Sequence, residues 1–161
     1  MGKPSYFSKE RNVYWSEEFQ DVVNLLTGKD EEDRTVSTPI YQFNTGVMTL
    51  AATMGVKHGR RRELGPGRRK EISTLTFASH RLEPYLFLIP LLGNDGDVEI
   101  LRPENEEELL KEFERYASGG FEVLRGIFDE SAGRNPEVVL QSLMGTRRYH
   151  DVLAPLPSLF L

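Results

Sequence analysis

One long helical pattern limits what this chain can fold into. Pro103 opens an acidic run, ENEEELLKEFERYAS, in which Leu109, Leu110, Phe113 and Tyr116 recur at helical spacing. Gly119-Gly120 interrupts the pattern, which then resumes with Phe121, Leu124, Ile127 and Phe128. A glycine inside a helix costs about 0.5–1 kcal/mol relative to alanine. Two in succession mark either a break in the helix or a place where another element crosses closely. The stripe reads as core, and other elements must cover it.

The rest of the chain supplies such elements. Ser16 offers a helix cap, Glu17 and Glu18 suit the first turn, and Phe19, Val22, Val23, Leu25 and Leu26 share a face before Gly28 stops the run. Pro39 is a helix start, and Tyr41 to Met54 reads as a second helix ending at Gly55. Gly46, Ala51 and Ala52 permit close packing along it. A third helix, Leu82 to Leu92, is capped by Ser79 and takes Pro84 in its first turn. It is apolar nearly all round, and Pro90 should kink or end it. Val98 to Leu101 reads as a short extended piece, and Asn135-Pro136 opens a last helix that runs to Met144. Tyr6, Phe7, Val13, Tyr14 and Trp15 suggest an irregular N-terminal arm that packs its rings on the body. The tail TRRYHDVLAPLPSLFL is apolar enough to seek a groove. The expected fold is mainly α, a compact bundle of about five helices with a small β-hairpin. We read 1–161 as a single domain: arm 1–15, helical core 16–144 and tail 145–161.

Charge points to one segment. The chain carries 20 basic and 25 acidic side chains, a net charge of -5, so any DNA contact must be local. Lys57, Arg60, Arg61, Arg62, Arg68, Arg69 and Lys70 crowd into VKHGRRRELGPGRRKEI, opposed only by Glu63 and Glu71. Gly65-Pro66-Gly67 is a turn, which suggests a hairpin with Ile72, Leu75 and Phe77 on the return strand. Guanidinium groups pair bidentately with phosphate, so the segment suits a DNA backbone. The plainer reading is a solvated loop paired with the protein's own acidic helix or with an acidic partner protein.

Other chemistry finds little support. With no cysteine there is no disulfide, thiolate zinc site or cysteine nucleophile. His58, His80 and His150 are scattered, and Asp30 to Asp33 reads as a solvated charge run, so no metal is expected. GRRRELGPG is not a phosphate loop, because Lys70 is followed by Glu71. Glu114 and Glu122 flank the glycine pair but do not read as an acid/base pair. No cofactor is implied. MGKPSYFSKER has no apolar h-region, and the run Tyr85 to Leu92 is too short to cross a bilayer, so a cytoplasmic protein without membrane contact is expected.

Three features, taken in order, resemble one family. They are Ala51-Ala52 with Gly55 and Gly59-Arg60-Arg61; Gly96-Asp97 with Ile100 and Leu101; and Phe113-Glu114-x-Tyr116-Ala117-x-Gly119-Gly120-x-Glu122-x-Leu124. Over roughly residues 39 to 128 the chain resembles the Dnd system-associated protein 4, or DNA phosphorothioation-associated protein 4, family. The arm before Ser16 and the tail after Gly145 lie outside that pattern. The resemblance implies an accessory role in bacterial phosphorothioation of DNA and the linked restriction of unmodified DNA, a phage-defence context. It supplies no catalytic residues. The expected protein is non-enzymatic and regulatory, binding duplex DNA or a phosphorothioation-system subunit through Arg60, Arg61, Arg62, Arg68, Arg69 and Lys70. Two alternatives stay open: an interaction adaptor that does not touch DNA, and a small nuclease or hydrolase with a site assembled from distant residues.

Overall fold

The computed structural model describes residues 5–144. The apolar tail after Met144 lies outside the described residues. The chain divides into two compact units, Met1–Gly126 and Ile127–Leu161.

In the first unit, strand β1 (Asn12–Ser16) leads through a 3-10 turn (Glu17–Phe19) into α1 (Gln20–Thr27). Then come α2 (Asn44–Lys57), β2 (Arg69–Ser73), α3 (Thr74–Ser79) and α4 (Glu83–Gly93). Two 3-10 turns, Val98–Leu101 and Pro103–Asn105, precede α5 (Glu106–Glu130). The second unit holds the end of α5 and α6 (Pro136–Met144), where the Asn135 side chain caps the Glu137 amide at 2.8 Å. The fold is mainly α with one small two-stranded antiparallel sheet, the class read from the sequence.

The sheet differs in detail. β2 does not fold back on the segment before Gly65-Pro66-Gly67. It pairs with β1, from Asn12↔Ser73 to Ser16↔Arg69. The end of the N-terminal arm, Asn12–Ser16, is therefore a strand, while residues 5–11 are irregular as expected. Val13 and Trp15 point inward from alternate positions and are buried. Leu75 and Phe77 leave the strand because the Ser73 hydroxyl accepts the Leu75 amide and starts α3, which buries Phe77. Two buried carboxylates hold the start of the arm. Glu83 accepts from the Ser5 hydroxyl and the Tyr6 amide, and Glu106 accepts from Ser8 and Arg11.

Several boundaries move for local reasons. α2 starts three residues later than the spacing suggests, at Asn44, because the Ile40 and Tyr41 amides both donate to the Leu26 carbonyl. It also runs past Gly55 and closes at His58, with Gly59 at φ 63. Pro90 sits inside α4 without ending it. Val98–Leu101 is a 3-10 turn, not extended, because Asp97 caps the Glu99 amide at 3.0 Å. Gly28 does close α1, in the left-handed region at φ 69.

The glycine pair does not break α5, which runs unbroken through Gly119 and Gly120. Both glycines sit where another backbone arrives. A Cβ on Gly120 would lie 1.6 Å from the Ala51 carbonyl oxygen, and one on Gly119 would lie 2.2 Å from that of Arg60. From the other side, a Cβ on Gly55 would lie 2.0 Å from the Tyr116 carbonyl oxygen. α2 and α5 thus cross backbone to backbone. Around the crossing, Phe121 stacks on Phe19 at 5.1 Å, and Phe77 meets Phe113 edge-on at 6.1 Å. Both contact types are favourable for aromatic rings.

Gly120→Ala should therefore cost about 3 kcal/mol or more, beyond the usual effect of overpacking, because backbone must move. Gly126→Ala, on the same helix with nothing within 4 Å of its Cβ among the described residues, should gain about 0.5–1 kcal/mol. Urea unfolding of the two variants measures both, and equal effects would refute the crossing.

Candidate functional site

The basic segment leaves the C-terminus of α2 and passes over α5 before joining β2. Its path is fixed by backbone hydrogen bonds. The Arg60 amide donates to the Gly55 carbonyl at 2.8 Å, and the Arg62 amide to the Arg115 carbonyl of α5 at 3.1 Å. The Glu17 amide donates to the Arg68 carbonyl at 2.9 Å. Between these anchors lies the Gly65-Pro66-Gly67 turn.

These anchors divide the seven cations into two groups. Arg61 faces α5 and grips Glu112 with both arms of its guanidinium, Nε at 2.9 Å from Oε2 and Nη2 on Oε1. Arg62 reaches Glu18 at 3.0 Å and Glu122 at 3.5 Å, with its guanidinium 5.4 Å over the Phe19 ring. These two brace the segment against its own acidic neighbours, as the plainer reading of the sequence anticipated for the run as a whole. Lys57, Arg60, Arg68, Arg69 and Lys70 are exposed. Among the described residues none of the five meets a carboxylate at ion-pair distance. Lys70 lies 5.6 Å over the Trp15 ring, and Arg69 points toward a cleft beside α5.

Arg115 is the hub beneath the segment. It binds Glu63 at 2.7 Å, Glu108 at 2.9 Å and Glu112 at 2.6 Å. Its guanidinium is held even more firmly protonated than usual, chiefly by the bond to Glu108. The bonds from Arg61 and then Arg115 hold Glu112 below the ordinary carboxylate range. Glu106 is also lowered: burial pushes it up, and the bonds from Ser8 and Arg11 outweigh that.

The cleft was not anticipated from the sequence. It has a volume of about 510 Å³ and lies between the arm at Lys9–Tyr14, the basic segment at Glu63, Leu64 and Arg69, and α5. Glu114 is part of its lining. This carboxyl is 7% exposed, and its Oε2 accepts the Tyr14 amide of β1 at 3.0 Å. Burial pushes it up to about 7, against the opposing effects of the Tyr14 amide, Arg69, Arg115 and Lys111. The continuous helix keeps Glu114 and Glu122 in register, yet they do not form a pair. Glu122 is exposed and meets Arg62, while Glu114 is buried. The sequence did carry a signal: Glu114 occupies the helical stripe of Leu110, Ala117 and Phe121, where a carboxylate is out of place. Among the described residues, no group of three or more histidines and carboxylates is placed to hold a metal ion.

Glu114 gives stability a distinct pH dependence. The folded state keeps a proton between the ordinary 4.5 and about 7 that the unfolded chain has already lost. Its contribution is therefore full below 4.5 and falls as pH rises through 7, by about 3 kcal/mol in all. Glu106 and Glu112 act in the opposite sense, losing their contribution only at acid pH. Glu114→Gln, which can still accept the Tyr14 amide, should be more stable than the native chain at pH 8 and gain nothing at pH 4. Chemical denaturation at the two pH values reads this difference. A constant gap between the two proteins would exclude titration of Glu114 in this range.

Comparison with known proteins adds one finding. No curated protein and no solved structure matches the chain. A family described as DNA sulphur modification system-associated protein 4 matches residues 12–154. The match is longer than the stretch of roughly 39 to 128 that the sequence motifs cover, and it takes in β1 as well as part of the tail. With the match spanning most of the sequence, this chain belongs to the DNA sulphur modification system-associated protein 4 family.

Proposed function

We propose that the protein is a non-enzymatic accessory factor of its DNA sulphur modification system, working in the cytoplasm and binding duplex DNA through the basic segment. The observation that carries this reading is the division of the seven cations. Arg61 and Arg62 are neutralised internally and stiffen the segment, while Lys57, Arg60, Arg68, Arg69 and Lys70 are exposed and meet no carboxylate among the described residues. A segment anchored at Gly55, Arg115 and Glu17 presents these charges with little ordering to be done on binding. The net charge of -5 would oppose binding elsewhere on the surface and so restrict DNA to this segment. Backbone phosphates would be the target, which implies affinity without base readout.

A second reading rests on a different feature. Tyr85, Leu88 and Leu92 form an exposed apolar stripe along α4. Such a stripe suits a protein partner, and a modification-system subunit is the natural one. Among the described residues no helix is long and apolar enough to cross a membrane.

A duplex titration at several salt concentrations tests the DNA reading. Log affinity should fall steeply with log salt, and Arg60→Ala and Arg68→Ala should each flatten the slope by about 1. Arg61→Ala should act mainly on stability. Absence of binding at low salt would overturn the proposal; if Leu88→Glu also abolished capture of a modification-system subunit, the adaptor reading would take its place.

A further inference from the structure

The cleft beside α5 has the makings of a ligand site separate from the phosphate-facing surface of the basic segment. Its volume of about 510 Å³ falls within the roughly 300–1,000 Å³ of small-molecule sites. Its walls are of three chemical kinds. Leu64 and Leu110 give apolar surface, and Tyr14 adds an aromatic ring. Arg69 and Lys111 bring positive charge; Arg69 meets no carboxylate among the described residues, and Lys111 has only Glu107 at 3.6 Å. Glu114 supplies a carboxyl that is 7% exposed, with only one of its oxygens hydrogen-bonded among the described residues.

A matching ligand combines hydrogen-bond donors, a flat body and an anion. We propose that this cleft binds a guanine nucleoside monophosphate unit, whose base carries an exocyclic amine beside a ring N–H. The amine and ring N–H would donate to the free oxygen of Glu114, the base would lie between Tyr14 and the leucines, and the phosphate would meet Arg69 and Lys111. The same unit could arrive as a free mononucleotide or as an unpaired nucleotide within a DNA strand, and both share this chemistry. Carboxylates read amino-bearing bases in this way, and aromatic rings stack on them. The site shares Arg69 with the proposed DNA surface but does not require duplex binding.

Calorimetric titration of the full chain at pH 8, where the Glu114 carboxyl is ionised, with dGMP, dTMP and inorganic phosphate, and with a short single strand containing one dG, tests the proposal. The dGMP should bind, at least about tenfold more tightly than dTMP or phosphate. Glu114→Gln, whose amide turns an acceptor into a donor, should lose about tenfold in dGMP affinity while keeping its fold by circular dichroism. Arg60→Ala and Arg68→Ala should leave dGMP binding unchanged even where they weaken duplex binding, which separates failure of this site from failure of the DNA surface. Tighter binding of the single strand than of dGMP would identify the strand as the source, and the reverse would identify the free nucleotide. No dGMP binding at millimolar concentration, phosphate binding as tight as dGMP, or full dGMP affinity in Glu114→Gln would each overturn it.

Discussion

The backbone-to-backbone crossing of α2 and α5 is the constraint on which the first unit depends. Gly55, Gly119 and Gly120 carry no Cβ at the points of contact, and Ala51 offers its carbonyl to the gap. Helices that meet this closely bring their flanking side chains into contact along the whole crossing. Val47, Met48, Ala51 and Ala52 of α2 and Phe113, Ala117, Phe121 and Leu124 of α5 are all buried. The interior is close-packed, so a single methyl at the crossing must displace backbone rather than fill a void.

The crossing also sets the path of the basic segment. α2 ends beside α5, so the chain that leaves it must pass over the Gly119 face. The Arg60 carbonyl rests against Gly119, and the Arg62 amide finds the Arg115 carbonyl. Once the backbone is pinned there, acidic residues on α5 and beside α1 capture the two nearest guanidinium groups, Arg61 and Arg62. Neighbouring cations on the same segment are left facing outward. Buried carboxylates do the corresponding work at the N-terminus. Glu83 and Glu106 hold the arm, and Glu114 accepts the β1 amide that places the strand beside α5. The resulting cleft has walls from three separate parts of the chain.

The sequence revealed the helices better than it did their partners. The stripe of α5, the cap at Ser16 and the stop at Gly28 are local signals, and each appears in the structure. Gly119-Gly120 was legible as an anomaly with two meanings. Only the position of Ala51 and Arg60 decides for a crossing over a break. The partner of β2 was not legible, because strand pairing between residues 12–16 and 69–73 leaves no local trace. The turn at Gly65-Pro66-Gly67 suggested a nearer partner. The basic cluster was plain in the sequence, but its division was not. Whether Arg61 or Arg60 meets a carboxylate depends on a side of α5 that spacing alone does not assign. Glu114 stands on the apolar stripe between Leu110 and Phe121, a charge out of place there, whereas Glu122 lies on the exposed side of the helix.

The crossing should hold the basic segment rigid and preformed in the free protein. Amide hydrogen exchange of the free protein tests it directly at two positions, Arg60 and Arg62. Both amides are hydrogen-bonded, to Gly55 and Arg115. If the segment is part of the folded unit, they should exchange as slowly as the buried amides of α2 and α5, through opening of the whole unit. Exchange at the rate of an unstructured loop, while the two helices stay protected, would contradict it.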